Sequence, residues 1–197
     1  MRLPAVRHRR LFAGDGVLWR GRFSLATGRT IELNVHLFFV FTVVTVTGLL
    51  AVALFPRFFP GWHAASYWFV AVAVTGTDSV AGLLHELGHA VVAIARGRQI
   101  YTITLYGLAG VARRPGGPTR PRDQLAISVA GPLCHLLIGS MLYTAWNILP
   151  MDNEPLRAAA GFPALSNFTV GLLNLMPVSP LDGGRAARAL IAGIFRV

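Results

Sequence analysis

Lysine is absent from this 197-residue chain, and acidic residues number only 8. Charged residues of all kinds make up 13%, about half the share found in soluble globular domains. Cys134 is the single cysteine, which excludes an intramolecular disulfide and with it a disulfide-stapled secreted scaffold. The first long apolar run begins near Val35, too deep for a usual cleaved signal peptide, so none is expected. Pro and Gly interrupt apolar stretches and build no low-complexity tract, which excludes a collagen-like or disordered chain. What the chain does hold is 54% hydrophobic residues, 18 arginines and a net charge of +10, at a mean hydropathy of +0.56. Two classes remain open at this point, an integral membrane protein and a basic nucleic-acid binder.

Four stretches are apolar and long enough for a crossing, which takes roughly 20 residues. The first runs from Val35 to Phe55 and ends at Pro56. The second lies between Tyr67 and Arg96, too long for one straight crossing, and Thr75, Gly76, Thr77 and Asp78 interrupt its middle. A tilt, a kink or a late start is expected there. The third is Leu125 to Leu149, and the fourth runs from Phe162 to about Leu181, with Pro177 and Pro180 breaking its helix near the end. Buried helices of a soluble protein are excluded, because so few polar residues cannot cover four such runs. The expected architecture is an α-helical integral membrane protein with about four transmembrane helices.

The arginines orient it. Sixteen of the 18 precede the first span, lie between the second and third, or follow the fourth; only Arg57 and Arg157 fall in the other two loops. Arg-rich short loops stay in the cytoplasm, so both termini are expected there, in a bacterial plasma membrane. The same distribution answers the nucleic-acid reading. These arginines flank apolar spans, where they meet anionic lipid, and no DNA- or RNA-binding signature accompanies them. No nucleic-acid partner is expected; the bilayer is.

Two stretches read as strands on the cytoplasmic side. Arg22 to Val35 holds Thr27-Gly28 between short alternating runs, as in a small hairpin or edge strand, and Ile100 to Val111 is rich in β-branched and aromatic residues. A free strand edge there either pairs with an extended peptide or is simply structural. The chain divides into a cytoplasmic Arg-rich segment (1–33), a membrane-embedded core (34–188), and a tail or start of a further helix (189–197).

The chemistry concentrates in the second span, at His85-Glu86-Leu87-Gly88-His89. Histidines four apart on a helix project from one face and can reach one metal ion, while Glu86, about 100° away, stands beside that ion as a proton acceptor. Ionisable groups at membrane depth are costly and point to function. A catalytic zinc site needs a third protein ligand. Asp182 is the candidate, in Asn174-Leu175-Met176-Pro177-Val178-Ser179-Pro180-Leu181-Asp182-Gly183-Gly184, where prolines open the helix and the glycines let the backbone turn tightly. Asp78 lies seven residues before His85, about 10 Å along a helix axis. That is too far for ligation, and leaves it a water channel or a partner beyond the ligands.

HELGH paired with NLMPVSPLDGG resembles the site-2 protease family of intramembrane zinc metalloproteases (peptidase family M50). Asn34-Val35-His36, Gly110-Val111-Ala112 and Ala130-Gly131-Pro132 are similar to further family features, so the likeness extends from about Ile31 to Arg188. It implies one zinc ion per chain held by His85, His89 and Asp182, Glu86 as the catalytic carboxylate, and transmembrane proteins as substrates. Where the family usually has Asn after Ala-Gly-Pro-x-x, this chain has His135. Three roles are open to it: polarising the scissile carbonyl, competing for zinc, or packing. Asn174 is a second candidate to polarise that carbonyl. The alternative from another class is a catalytically silent membrane binding protein of the same fold. Substrate identity and oligomeric state are not written in the sequence.

Overall fold

The computed structural model describes residues 16–24, 30–97, 100–107, 109–113 and 120–195. In chain order it contains β1 (Val17–Ser24), β2 (Thr30–His36), α1 (Leu37–Leu49), a π turn (Leu50–Leu54), α2 (Phe55–Phe58), α3 (Ala64–Ala95), β3 (Ile100–Tyr106), β4 (Ala109–Arg113), α4 (Pro121–Ile148), α5 (Glu154–Leu175) and α6 (Asp182–Phe195). Three helical stretches are long and apolar enough to cross a membrane: Leu37–Phe58, Ala64–Ala95 and Pro121–Ile148. Large apolar side chains on them face outward, such as Phe41 (62% exposed), Val52 (68%) and Met141 (72%). In water that belt would be an aggregation surface; in lipid it costs nothing.

α3 narrows the expectation of a tilt, a kink or a late start. The polar stretch Thr75 to Asp78 does not break it, and the helix is continuous for 32 residues. The Thr75 hydroxyl donates to the Ala71 carbonyl at 2.8 Å and the Ser79 hydroxyl to the Thr75 carbonyl at 2.6 Å, so these side chains satisfy themselves on the helix's own backbone. At about 48 Å α3 is longer than the ~30 Å hydrocarbon layer and must tilt or project beyond it.

The fourth apolar stretch also shifts. It was expected at Phe162 to Leu181, but its helix, α5, starts eight residues earlier. There the Asn153 side chain caps the first turn by accepting from the Leu156 amide at 3.0 Å. α5 ends at Leu175, because Pro177 biases the preceding residue away from helical dihedrals. Its 22 residues have the length of a crossing, with Glu154 and Arg157 at its start. α6 begins at Asp182 and runs to Phe195, so the expected boundary at 188/189 falls inside one helix.

The expected strands pair into one four-stranded sheet of order β1-β2-β3-β4. β1 with β2 and β3 with β4 are antiparallel, while β2 and β3 are parallel, with Leu33 opposite Ile103 and Val35 opposite Leu105. The Thr27-Gly28 turn of the first hairpin lies outside the described residues. Alternation decides the two faces. Ile31, Leu33, Val35, Ile103 and Leu105 pack on Ala90, Ala93 and Ile94 of α3 and Ile127 of α4, while Glu32 on the opposite face receives Arg22 and Thr102. Parallel pairing of β2 with β3 requires the intervening α1–α3 pair to leave the sheet's side and return to it. At the far end, Trp62 donates to Glu154 at 3.0 Å and stacks on Phe59.

Ile103 is fully buried where the sheet meets α3. Ile103→Ala should destabilise the fold by about 2–4 kcal/mol, read as a lowered unfolding midpoint in detergent.

Candidate metal centre

HELGH occupies the last third of α3, and His85, Glu86 and His89 are all buried there. The His89 Nδ1–H donates to the Ile127 carbonyl of α4 at 2.6 Å. That bond fixes the tautomer and leaves the Nε2 lone pair free for a cation. Asp182 arrives from a distant part of the chain as the first residue of α6, where the helix dipole favours a carboxylate. Its Oδ2 lies 2.9 Å from His89 Nε2 and 3.1 Å from His85 Nε2, and the two ring nitrogens are 3.1 Å apart. Arg185, one turn along α6, places Nη1 3.2 Å from the other carboxylate oxygen.

Two ring nitrogens and a carboxylate oxygen this close are held together by a proton or a metal cation among them. Zinc bonds of about 2.0–2.1 Å at tetrahedral angles put ligand atoms about 3.3 Å apart, so the donor set and its spacing fit zinc. Among the described residues this is the group able to hold a metal ion.

Glycines make the approach possible. A Cβ on Gly131 would run into His89 Nε2 and come within 2.7 Å of His85 Nε2, filling the space between the histidines. A Cβ on Gly88 would meet Cys134 Sγ at 2.8 Å and the Ala130 carbonyl oxygen at 3.0 Å. The HELGH and Ala-Gly-Pro motifs are thus two sides of one helix contact, in the small-residue manner of membrane helices. Gly183 and Gly184 serve differently from expectation. They form the first turn of α6, and what they supply is room: a Cβ on Gly183 would collide with the Leu175 carbonyl, and one on Gly184 would lie 2.6 Å from that of Val178.

A cavity of about 740 Å³ opens beside His85, His89 and Asp182, lined also by Glu86, Asp78, His135, Asn167 and Asn174. The His135 ring lies 5.0 Å from that of His85, and its Nδ1 is 2.7 Å from Asn167 Oδ1. Asn174 lines the cavity with its amide donating back to Val170 at 3.0 Å. Asp78 stands beyond His135, accepting from Ser166 at 2.6 Å and Asn167 at 3.1 Å. Sequence reading missed Ser166, Asn167 and Arg185; a polar Ser-Asn pair inside an apolar stretch was the available signal for the first two.

Known proteins resemble this chain in both sequence and fold. Residues 63–151 match the family model described as Peptidase M50B-like, a span that includes HELGH and His135 but not Asp182. Rip3 of Mycobacterium tuberculosis, named as a zinc metalloprotease, is 32% identical over 161 residues, 81% of this chain and 41% of Rip3. The similarly named sll0528 of Synechocystis is 28% identical over 164 residues, 83% of this chain and 42% of that protein. The chain thus spans about two fifths of the length of these relatives. The solved site-2 protease from Methanocaldococcus jannaschii matches with a TM-score of 0.55 at 28% identity, over 94% of this chain and 72% of that one. This chain has the site-2 protease fold, and its residues 63–151 are similar to the M50B-like peptidase family.

Gly131→Ala puts a methyl group between the two histidines. It should weaken zinc binding by at least the roughly 10–100-fold that loss of an outer-shell partner costs, with helical circular dichroism unchanged. Full zinc content in purified Gly131→Ala, by elemental analysis, would refute this geometry.

Proposed function

We propose that this chain is an intramembrane zinc metalloprotease that hydrolyses peptide bonds of transmembrane proteins near the cytoplasmic side of the membrane. One observation carries the reading: Asp182 meets two histidines, 93 and 97 residues away in sequence, at 2.9 and 3.1 Å, and a buried glutamate shares their cavity. His85, His89 and Asp182 are the ligands of one zinc ion per chain, and Glu86 is the catalytic carboxylate. Zinc held there supplies Lewis acidity, which activates water near neutral pH and polarises a peptide carbonyl.

The chain's own groups do the rest. Glu86 takes a proton from the attacking water and delivers it to the leaving amine nitrogen as the carbon–nitrogen bond breaks. Ile127 holds the His89 ring through Nδ1, and Arg185 holds Asp182 from the side away from the histidines. His89 precedes Arg96 by seven residues, so the centre lies about 10 Å inside the cytoplasmic boundary. Water therefore enters from that side. A substrate helix has every backbone bond satisfied and must unwind before its carbonyl is reachable; segments with Gly, Pro or Asn near the cytoplasmic end are the expected substrates.

Orientation follows from the arginine distribution and is supported by the sheet, which joins the chain before α1 to the chain between α3 and α4. In a Cys134→Ser background, an impermeant maleimide added to intact cells should label Asp152→Cys and spare Arg120→Cys; the reverse pattern would invert the topology. For the chemistry, Glu86→Gln should keep stoichiometric zinc and lose cleavage of a membrane-spanning substrate by 10²-fold or more, the usual share of a general base. Undiminished cleavage by Glu86→Gln would leave the silent binding protein as the better reading.

A further inference from the structure

The hydrogen-bonded chain Asp78–Asn167–His135, buried at Asn167 and His135, is absorbed neither by zinc ligation nor by proton transfer. Asn167 is 1% exposed, and its Nδ2 lies 2.8 Å from the Pro163 carbonyl oxygen and 3.1 Å from Asp78 Oδ1. Both neighbours are acceptors, and the amide nitrogen has two hydrogens, one for each. Turning the amide over would set its oxygen against a carboxylate and a carbonyl, so the orientation is forced. Asn167 Oδ1 then faces His135 Nδ1 at 2.7 Å, and an acceptor there requires the proton on Nδ1. A neutral His135 consequently carries a lone pair on Nε2. It cannot donate to a carbonyl from that atom, so the carbonyl-polarising role considered for it is closed to the neutral ring.

His135 lines the same cavity as Glu86 and the three ligands, with its ring 5.0 Å from that of His85. An extended peptide placed there presents main-chain N–H groups as well as the carbonyl to be cut. At membrane depth each N–H needs an acceptor. We propose that His135 is a substrate-positioning residue: its Nε2 accepts a main-chain N–H next to the scissile bond, and Asp78 and Asn167 hold it in the tautomer that can do so. This rests on the protease reading and names how that site grips an unwound strand. Asp78 acts at two removes, through Asn167.

The test uses the full-length, zinc-loaded chain in detergent and a quenched-fluorescent synthetic peptide with one apolar segment and a central Gly-Pro. The first requirement is cleavage by wild type and none by Glu86→Gln; failure here defeats the protease reading and says so separately. His135→Leu should then raise KM about tenfold, the worth of one buried hydrogen bond, with kcat and zinc content nearly unchanged. His135→Asn, whose side-chain oxygen is again an acceptor, should recover most of the loss. A series of peptides with single main-chain amides replaced by esters removes one N–H at a time. One position near the scissile bond should reproduce the tenfold KM rise in wild type and add nothing further in His135→Leu. A fall in kcat at constant KM, a loss of zinc, or ester effects that add fully to His135→Leu would overturn the proposal. So would a wild-type series in which no single N–H matters, a result that holds even if His135→Leu does not fold.

Discussion

Polar groups inside a bilayer must find partners within the protein, and this constraint organises the whole molecule. His85, His89 and Asp182 are buried at a depth where isolated charge is very costly, and they converge to within 3.1 Å of one another. That convergence dictates the surrounding packing. Gly131 has no side chain because the histidines occupy its space, Gly88 has none because Ala130 and Cys134 lie against it, Gly183 has none because the end of α5 passes over it, and Gly184 has none because Val178 in the following loop does. Even the Thr75 and Ser79 hydroxyls obey the rule, by turning back onto their own helix.

The small sheet is the second organising device. Its parallel β2–β3 pair joins the chain before α1 to the chain after α3, and its apolar face closes on α3 and α4 just beyond HELGH. The stretch of α3 that carries His85 and His89 is therefore clamped on two sides. α4 supplies the Ile127 carbonyl that sets the tautomer of His89. By contrast, α1 has no buried residue and bounds the cavity only through side chains such as Phe39 and Val46.

Much of this was legible from residues alone, for identifiable reasons. HELGH could be read because helical spacing is local: residues four apart share a face whatever the tertiary fold. Strands at Ile100 to Val111 could be read because alternation is local too. Composition left a tilt, a kink or a late start open for the second span; the hydroxyls' bonds to their own backbone keep α3 whole through Thr75 to Asp78, and its length leaves the tilt. The start of α5 was missed because its first eight residues are only moderately apolar, and Asn153 and Pro155 mark it by capping chemistry instead of hydropathy. The role assigned to Gly183-Gly184 was right in place and wrong in cause, since crowding by a distant carbonyl is invisible in a sequence window.

The sequence by itself determined the membrane class and the helix that carries HELGH, and its arginine distribution is what the proposed orientation rests on. Each depends on composition or short-range periodicity. Tertiary structure alone decided that Asp182 meets His85 and His89 across 97 and 93 residues of chain, that Gly131 of another helix makes room for them, and that Asn167 fixes the proton on His135. These are relations between groups on different helices. Their distances and hydrogen-bond directions exist only once the helices have packed.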